Sequence, residues 1–101
     1  MSRFFSILPL KASPESRSEA IGVFIETGVI EQCRQAIPGF VSGFMLKSMQ
    51  DDAAACVLVE WKDRQAYDDW MSSPLRGTNE RRLFEPPPLS HLYELVHEVQ
   101  R

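Results

Sequence analysis

The hydrophobic positions change period along the chain and divide it into segments with recognisable ends. Arg3 to Leu10, rich in Phe and Ile, predicts a first strand closed by Pro9 and the turn-like Lys11-Ala12-Ser13. Ser13-Pro14 then predicts a helix start, with Ser13 as N-cap and Pro14 at the first helical position, where a missing N–H costs nothing. Ile21, Phe24, Ile25, Val29, Cys33 and Ile37 recur at spacings of three and four, the buried stripe of one helix. Gly22 and Gly28 weaken that helix and Pro38-Gly39 ends it. Phe40 to Met49 alternates loosely as a second strand, Asp51-Asp52 makes a turn, and Ala53 to Trp61 is a third strand with an almost continuous apolar run, so the pair reads as a hairpin. Asp63 caps a second helix through about Met71. Ser72-Ser73-Pro74 breaks it and starts a further helical turn toward Phe84. Pro86-Pro87-Pro88 is a stiff extended linker. His91 to Val99 is the last strand, with His91, Tyr93, Leu95, His97 and Val99 on one face and Leu92, Glu94, Val96 and Glu98 on the other.

The order strand, helix, strand, strand, helix, strand is the βαββαβ, or ferredoxin-like, arrangement of the α+β class: a four-stranded antiparallel sheet with helices on one face. Residues 1–101 read as a single domain without internal repeats. Phe4, Phe5, Phe44 and both faces of the last strand offer more apolar surface than two short helices can bury. Pairing of two sheets is the simplest remedy, so the expected assembly is a homodimer closed as a dimeric α/β barrel.

Charge and composition narrow the partners. The chain carries a net charge of -3 at neutral pH and has no basic block beyond Arg81-Arg82, which disfavours a nucleic-acid partner, because phosphate neutralisation needs several clustered cations. No run is long enough to cross a bilayer, and the apolar N-terminal stretch, interrupted by Pro9, is too short for a secretory segment. Cys33 and Cys56 sit among apolar residues and read as reduced core thiols of a cytoplasmic protein. There is no CxxC, HExxH or glycine-rich phosphate loop, so neither a metal nor a nucleotide cofactor has a motif to stand on.

The stretch with most chemistry runs from Val57 to Trp70, where an apolar strand ends in Trp61, turns at Asp63, and opens a helix carrying Tyr67 and Trp70. Trp and Tyr combine an apolar body with a polar handle, so three of them at one junction can line a pocket that stacks on a flat ligand and orients its oxygens. They could equally fill core space. With Pro38-Gly39-Phe40-Val41-Ser42-Gly43-Phe44 before the hairpin and Val59-Glu60-Trp61-Lys62-Asp63-Arg64-Gln65-Ala66-Tyr67 after it, the sequence resembles the antibiotic biosynthesis monooxygenase family over nearly its whole length. It is most similar to the small anthrone-type monooxygenases of polyketide pathways, dimeric ferredoxin-like proteins that oxidise polycyclic phenols with O2 and without metal or flavin.

The resemblance implies catalytic roles for Trp61, Tyr67 and Arg81, which fall on the family's strand-terminal Trp, helix Tyr and later Arg. The family's asparagine, four residues before the Trp, falls on Val57, whose side chain can neither donate nor accept. Haem-degrading enzymes of the same fold share a Trp at Trp70, but their histidine position is Glu80 and their first-strand asparagine falls near Phe5, so haem degradation ranks below the phenol reading. The expected function is a cofactor-independent monooxygenase acting on a polycyclic phenol, anthrone or quinol with O2. A non-oxidative aromatic-binding protein, or a cyclase or isomerase of the same fold, is the alternative. Trp61 could donate its indole N–H to a substrate carbonyl, Tyr67 could pass a proton, and Arg81 could lower the pKa of a nearby phenol. Trp70, Val57, Tyr93 and His97 are the expected substrate-binding residues. His97 and His91 could also serve as bases, provided their face of the last strand looks into the cleft.

Overall fold

A computed structural model describes residues 3–74, 83–85 and 89–101. Along the chain run β1 (Phe4–Lys11), α1 (Arg17–Thr27), α2 (Val29–Ala36), β2 (Phe40–Lys47), β3 (Ala54–Trp61), α3 (Arg64–Met71) and β4 (His91–Glu94). The strands form one antiparallel sheet in the order β2-β3-β1-β4, the ferredoxin-like arrangement expected from the pattern. None of the described helices is long and apolar enough to cross a membrane.

Three elements depart from the sequence-based expectation. The helix expected to run unbroken to Ile37 is two helices, because Gly28 adopts a left-handed φ of 70° that ends α1 and opens α2. The helix also starts later than Ser13-Pro14 suggests. The Ser13 hydroxyl meets that of Ser16 at 2.6 Å, the Ser16 N–H donates to the Ser13 carbonyl, and helical geometry begins only at Arg17. The last strand stops at Glu94 instead of Val99, where its partner β1 has reached its own first residue: Phe4 pairs with Glu94, and among the described residues one further bond, Leu95 N–H to the Arg3 carbonyl at 2.9 Å, continues the ladder. The expected helical turn before Phe84 and the Pro86-Pro87-Pro88 linker lie outside the described residues.

Strand alternation divides the side chains into two sets. Phe4, Ser6, Leu8 and Leu10 of β1 lie level with Trp61, Val59, Val57 and Ala55 of β3, and all point toward the helices. Phe40 and Met45 join them from β2, one on each side of a bulge between Phe40 and Ser42, and Leu92 from β4. With Cys33, Ile37, Ala66 and Tyr67 from the covering elements, these residues make the core. Burial also pushes the Cys33 thiol up to about 12, so it stays protonated at neutral pH.

The other face carries Phe5 and Ile7 from β1, Leu58 from β3, Phe44 and Leu46 from β2, and Tyr93 from β4. Phe44, Leu46 and Tyr93 are exposed in the single chain. The same face holds the buried carboxylate of Glu60. Arg3 donates to both of its oxygens and, through Nη1, to Glu98 at 2.7 Å, which ties the segment after β4 to the sheet. The Arg3 guanidinium, and after it Gln100, holds the Glu98 carboxyl below the usual carboxylate range.

Candidate functional site

The junction that closes β3 is built from three local devices. After Trp61, the Lys62 N–H donates to the Gly39 carbonyl at 2.7 Å, fastening the end of β3 to the start of β2. Asp63, in extended geometry, accepts from the Ala66 N–H at 3.0 Å and so caps α3, as its position in the sequence predicts. The helix can then lie close against the hairpin because residue 39 has no side chain: a Cβ there would come within 2.5 Å of the Ala66 Cβ. Tyr67 is thereby delivered over Trp61, with Trp70 one turn further on and half-buried against the same cluster.

Around Trp61 the aromatic rings form a continuous array. Phe40 and Tyr67 each meet its indole edge-to-face, with centroids 5.9 and 6.0 Å away, and Phe4 lies 5.9 Å from Tyr67 at a tilt of 48°. These are favourable quadrupolar geometries. Trp61 is 1% exposed, and its indole N–H donates to the Ser6 hydroxyl at 2.9 Å. Ser6 is itself 5% exposed, so this is a fully desolvated polar pair within an otherwise apolar layer. Tyr67 is buried, and its hydroxyl forms no hydrogen bond among the described residues.

The structure brings together only part of the expected site. Trp61, Tyr67 and Trp70 converge. Val57 is buried on the same face, between Leu8 and Met45 in the pairing register. Tyr93 does not join them. It pairs with Phe5, so strand alternation turns it to the opposite face of the sheet, where it is 53% exposed. His91 shares that face, and His97 is exposed beyond the end of β4. Arg81 and Glu80 lie outside the described residues.

Sequence reasoning passed over Ser6. Its signal was available: in Phe4-Ser6-Leu8-Leu10, one polar residue interrupts an otherwise apolar strand face, and a buried hydroxyl needs a partner. A separate cavity of about 270 Å³ lies at the opposite end of β3 from Trp61, lined by Leu46, Lys47, Ser48, Ala54, Ala55 and Cys56. Among the described residues, no three His, Cys, Asp or Glu side chains are grouped as a metal ion would require.

A desolvated aromatic cluster beneath a helix, on the covered face of a ferredoxin-like sheet, is the frame of this α+β protein. Residues 8–77 match the family model described as antibiotic biosynthesis monooxygenase, and the chain belongs to that family. No curated protein matches it in sequence. Solved structures with the same fold include the haem degrader MhuD of Mycobacterium tuberculosis, solved with two haems in its active site. It is 15% identical over 96% of this chain and 99% of that one, with a TM-score of 0.78. The monooxygenase ActVA-Orf6 of Streptomyces coelicolor, in complex with nanaomycin D, is 18% identical over 99% and 93% of the two chains, with a TM-score of 0.74. SnoaB, a cofactor-independent oxygenase of Streptomyces nogalater, is 17% identical over 99% and 97%, with a TM-score of 0.61.

Proposed function

We propose that the protein is a homodimeric, cofactor-independent monooxygenase that oxidises a polycyclic phenol, anthrone or quinol with O2. The observation that carries this reading is the Phe40–Trp61–Tyr67–Phe4 ring array with its one desolvated polar pair, set in the frame of a monooxygenase family. A flat substrate would stack against the partly buried rings at the edge of this array, Phe4 and Phe40, with the polar pair aligning its oxygen. ActVA-Orf6 with its bound nanaomycin D and the cofactor-independent SnoaB support the same class of ligand and chemistry. The exposed Phe44, Leu46 and Tyr93 make the open sheet face the partner surface for a second copy.

An anthrone shows why no cofactor is needed. Its central methylene loses a proton to give the enolate. The enolate passes one electron to O2, and the substrate radical and superoxide recombine with a new C–O bond at that carbon. Cleavage of the O–O bond, with loss of the second C–H proton, leaves a quinone carbonyl and water, so one anthrone and one O2 become one quinone and one H2O. The protein's task is to desolvate the substrate and stabilise the enolate oxygen. In this reading the Trp61 N–H, which donates to Ser6, acts on that oxygen through the Ser6 hydroxyl, the Tyr67 hydroxyl holds or passes a proton, and Arg81 favours the ionised substrate by its charge. Trp70 walls the cleft and Val57 supplies apolar floor. Tyr93 and His97 have no role in the cleft of a single chain.

The test is product labelling. Metal-stripped protein mixed anaerobically with an anthrone and then given 18O2 should form quinone carrying one labelled oxygen, at a rate that saturates with substrate and exceeds autoxidation. A second reading, aromatic-ligand binding without oxidation, is favoured by the apolar Val57 and by the engagement of the Trp61 N–H with Ser6. It predicts quenching of Trp fluorescence by the same anthrone and no quinone beyond autoxidation. The likeness to MhuD makes haem a third ligand to try, and a titration without a saturable Soret shift removes it.

A further inference from the structure

We propose that Ser6 is the group that donates to the substrate's carbonyl oxygen, and that Trp61 acts through it as a positioning residue; this rests on the monooxygenase reading above. The argument starts from donor accounting. An indole N–H can only donate, and the Trp61 N–H is already spent on Ser6 Oγ at 2.9 Å. A serine hydroxyl that accepts this bond still owns its proton, and among the described residues Ser6 makes no second side-chain hydrogen bond. A buried O–H without an acceptor is a cost that a ligand oxygen removes. Accepting from Trp61 also polarises the Ser6 hydroxyl, which makes it the stronger donor of the two.

Position agrees with this accounting. Within the helix-facing layer, the β3 residues Ala55, Val57, Val59 and Trp61 are all buried, so that strand is sealed. Phe4 and Leu8 on β1 and Leu92 on β4 are only partly buried. The less tightly covered part of this layer therefore lies at Phe4 and Leu8 of β1 and at Leu92 of β4. Ser6, itself buried, lies beneath these three side chains, level with Leu92 on one side and Val59 on the other. Trp61 lies behind Ser6, under Tyr67 and Phe40, and reaches the cleft through that hydroxyl. Ser6 thus supplies on β1 the polar function that Val57 cannot supply on β3.

The experiment compares Ser6→Ala, Ser6→Thr, Trp61→Phe and the Ser6→Ala/Trp61→Phe double variant. Two readouts are followed: anthrone turnover, and binding of 1,8-dihydroxyanthraquinone with the position of its visible band. Ser6→Ala should lower turnover about tenfold or more, within the range lost when a preorganised oxyanion donor is removed, and should abolish the shift of the bound dye. Trp61→Phe should cost less, Ser6→Thr should keep most of both signals, and the double variant should be no better than Ser6→Ala. A structural pair behaves oppositely, because removing both polar partners relieves the unpaired group and the double variant recovers. Recovery in the double variant, or an unaltered Ser6→Ala with a crippled Trp61→Phe, would overturn the proposal. A wild-type protein that shifts the dye through Ser6 but forms no quinone would sink the oxygenase reading and leave the donor assignment standing. Failure of the wild type to bind the dye would overturn both.

Discussion

The two faces of this sheet are made from the same four strands and solve the burial of polar groups in opposite ways. On the covered face the polar content of β1 and β3 is one neutral pair, Trp61 and Ser6, inside a layer of Phe, Leu, Val and Ala. On the open face the buried polar group is a carboxylate, Glu60, paired with Arg3, while large apolar groups such as Phe44 and Tyr93 remain exposed. A neutral hydroxyl with an unused proton suits an apolar ligand that carries one oxygen. An apolar face edged by a paired charge suits a second protein surface, because the paired charges fix orientation and the exposed rings supply the area. The comparison supports the proposal of chemistry on one face and assembly on the other.

Four substitutions sharpen or break that division. Trp61→Ala removes the largest fully buried side chain among the described residues and should cost about 3–5 kcal/mol of stability, read from the denaturant midpoint. A loss as small as that for an exposed residue would mean that the array is not the packing centre. Phe44→Lys, on the open face, should leave the fold intact but convert the proposed dimer to monomer in sedimentation, since a charge has no partner at the centre of an apolar contact. Persistence of a dimer would place the assembly surface elsewhere.

Tyr67→Phe deletes one hydroxyl and should reduce turnover several-fold while shifting stability by no more than about 1 kcal/mol. An unchanged rate would remove Tyr67 from the mechanism and leave it as packing. The smallest effect belongs to Glu98→Gln, which should speed hydrogen exchange at the Leu95 N–H by loosening the segment after β4. In the wild type, acidification should likewise lower the protection of that N–H relative to its intrinsic exchange rate. Because the Glu98 carboxyl is held below its usual value in the folded protein, its contribution is present above the ordinary carboxylate range and is lost as pH falls through the lowered value. Leu95 exchange in the variant should therefore show no added acid sensitivity.

Elements with strong local signals were legible in the sequence, and those set by distant partners were not. Asp63 followed by an amphipathic stretch marked α3 and its cap, because capping is a contact three residues long. The two-residue alternation and the Asp51-Asp52 turn marked the hairpin. The left-handed kink at Gly28 was read only as a weak point in a helix, because glycine lowers helix stability whether or not it breaks the helix, and the outcome depends on how α2 packs onto β2. The end of β4 depends on where β1 begins, a property of register rather than of residues 95–99. Which face Tyr93 occupies is fixed by its pairing with Phe5, and so was open until the register was known. Ser6 escaped for a related reason: a lone serine in a strand looks unremarkable until Trp61, 55 residues away, is found to donate to it.

The most direct test of the central claim is oxygen consumption by the metal-stripped protein with a single anthrone, autoxidation subtracted. The covered-face account predicts uptake that saturates with substrate and matches quinone formation one to one. Uptake no faster than the protein-free control, in protein shown by fluorescence quenching to bind that anthrone, would contradict it and leave the aromatic array as a binding site without oxygen chemistry.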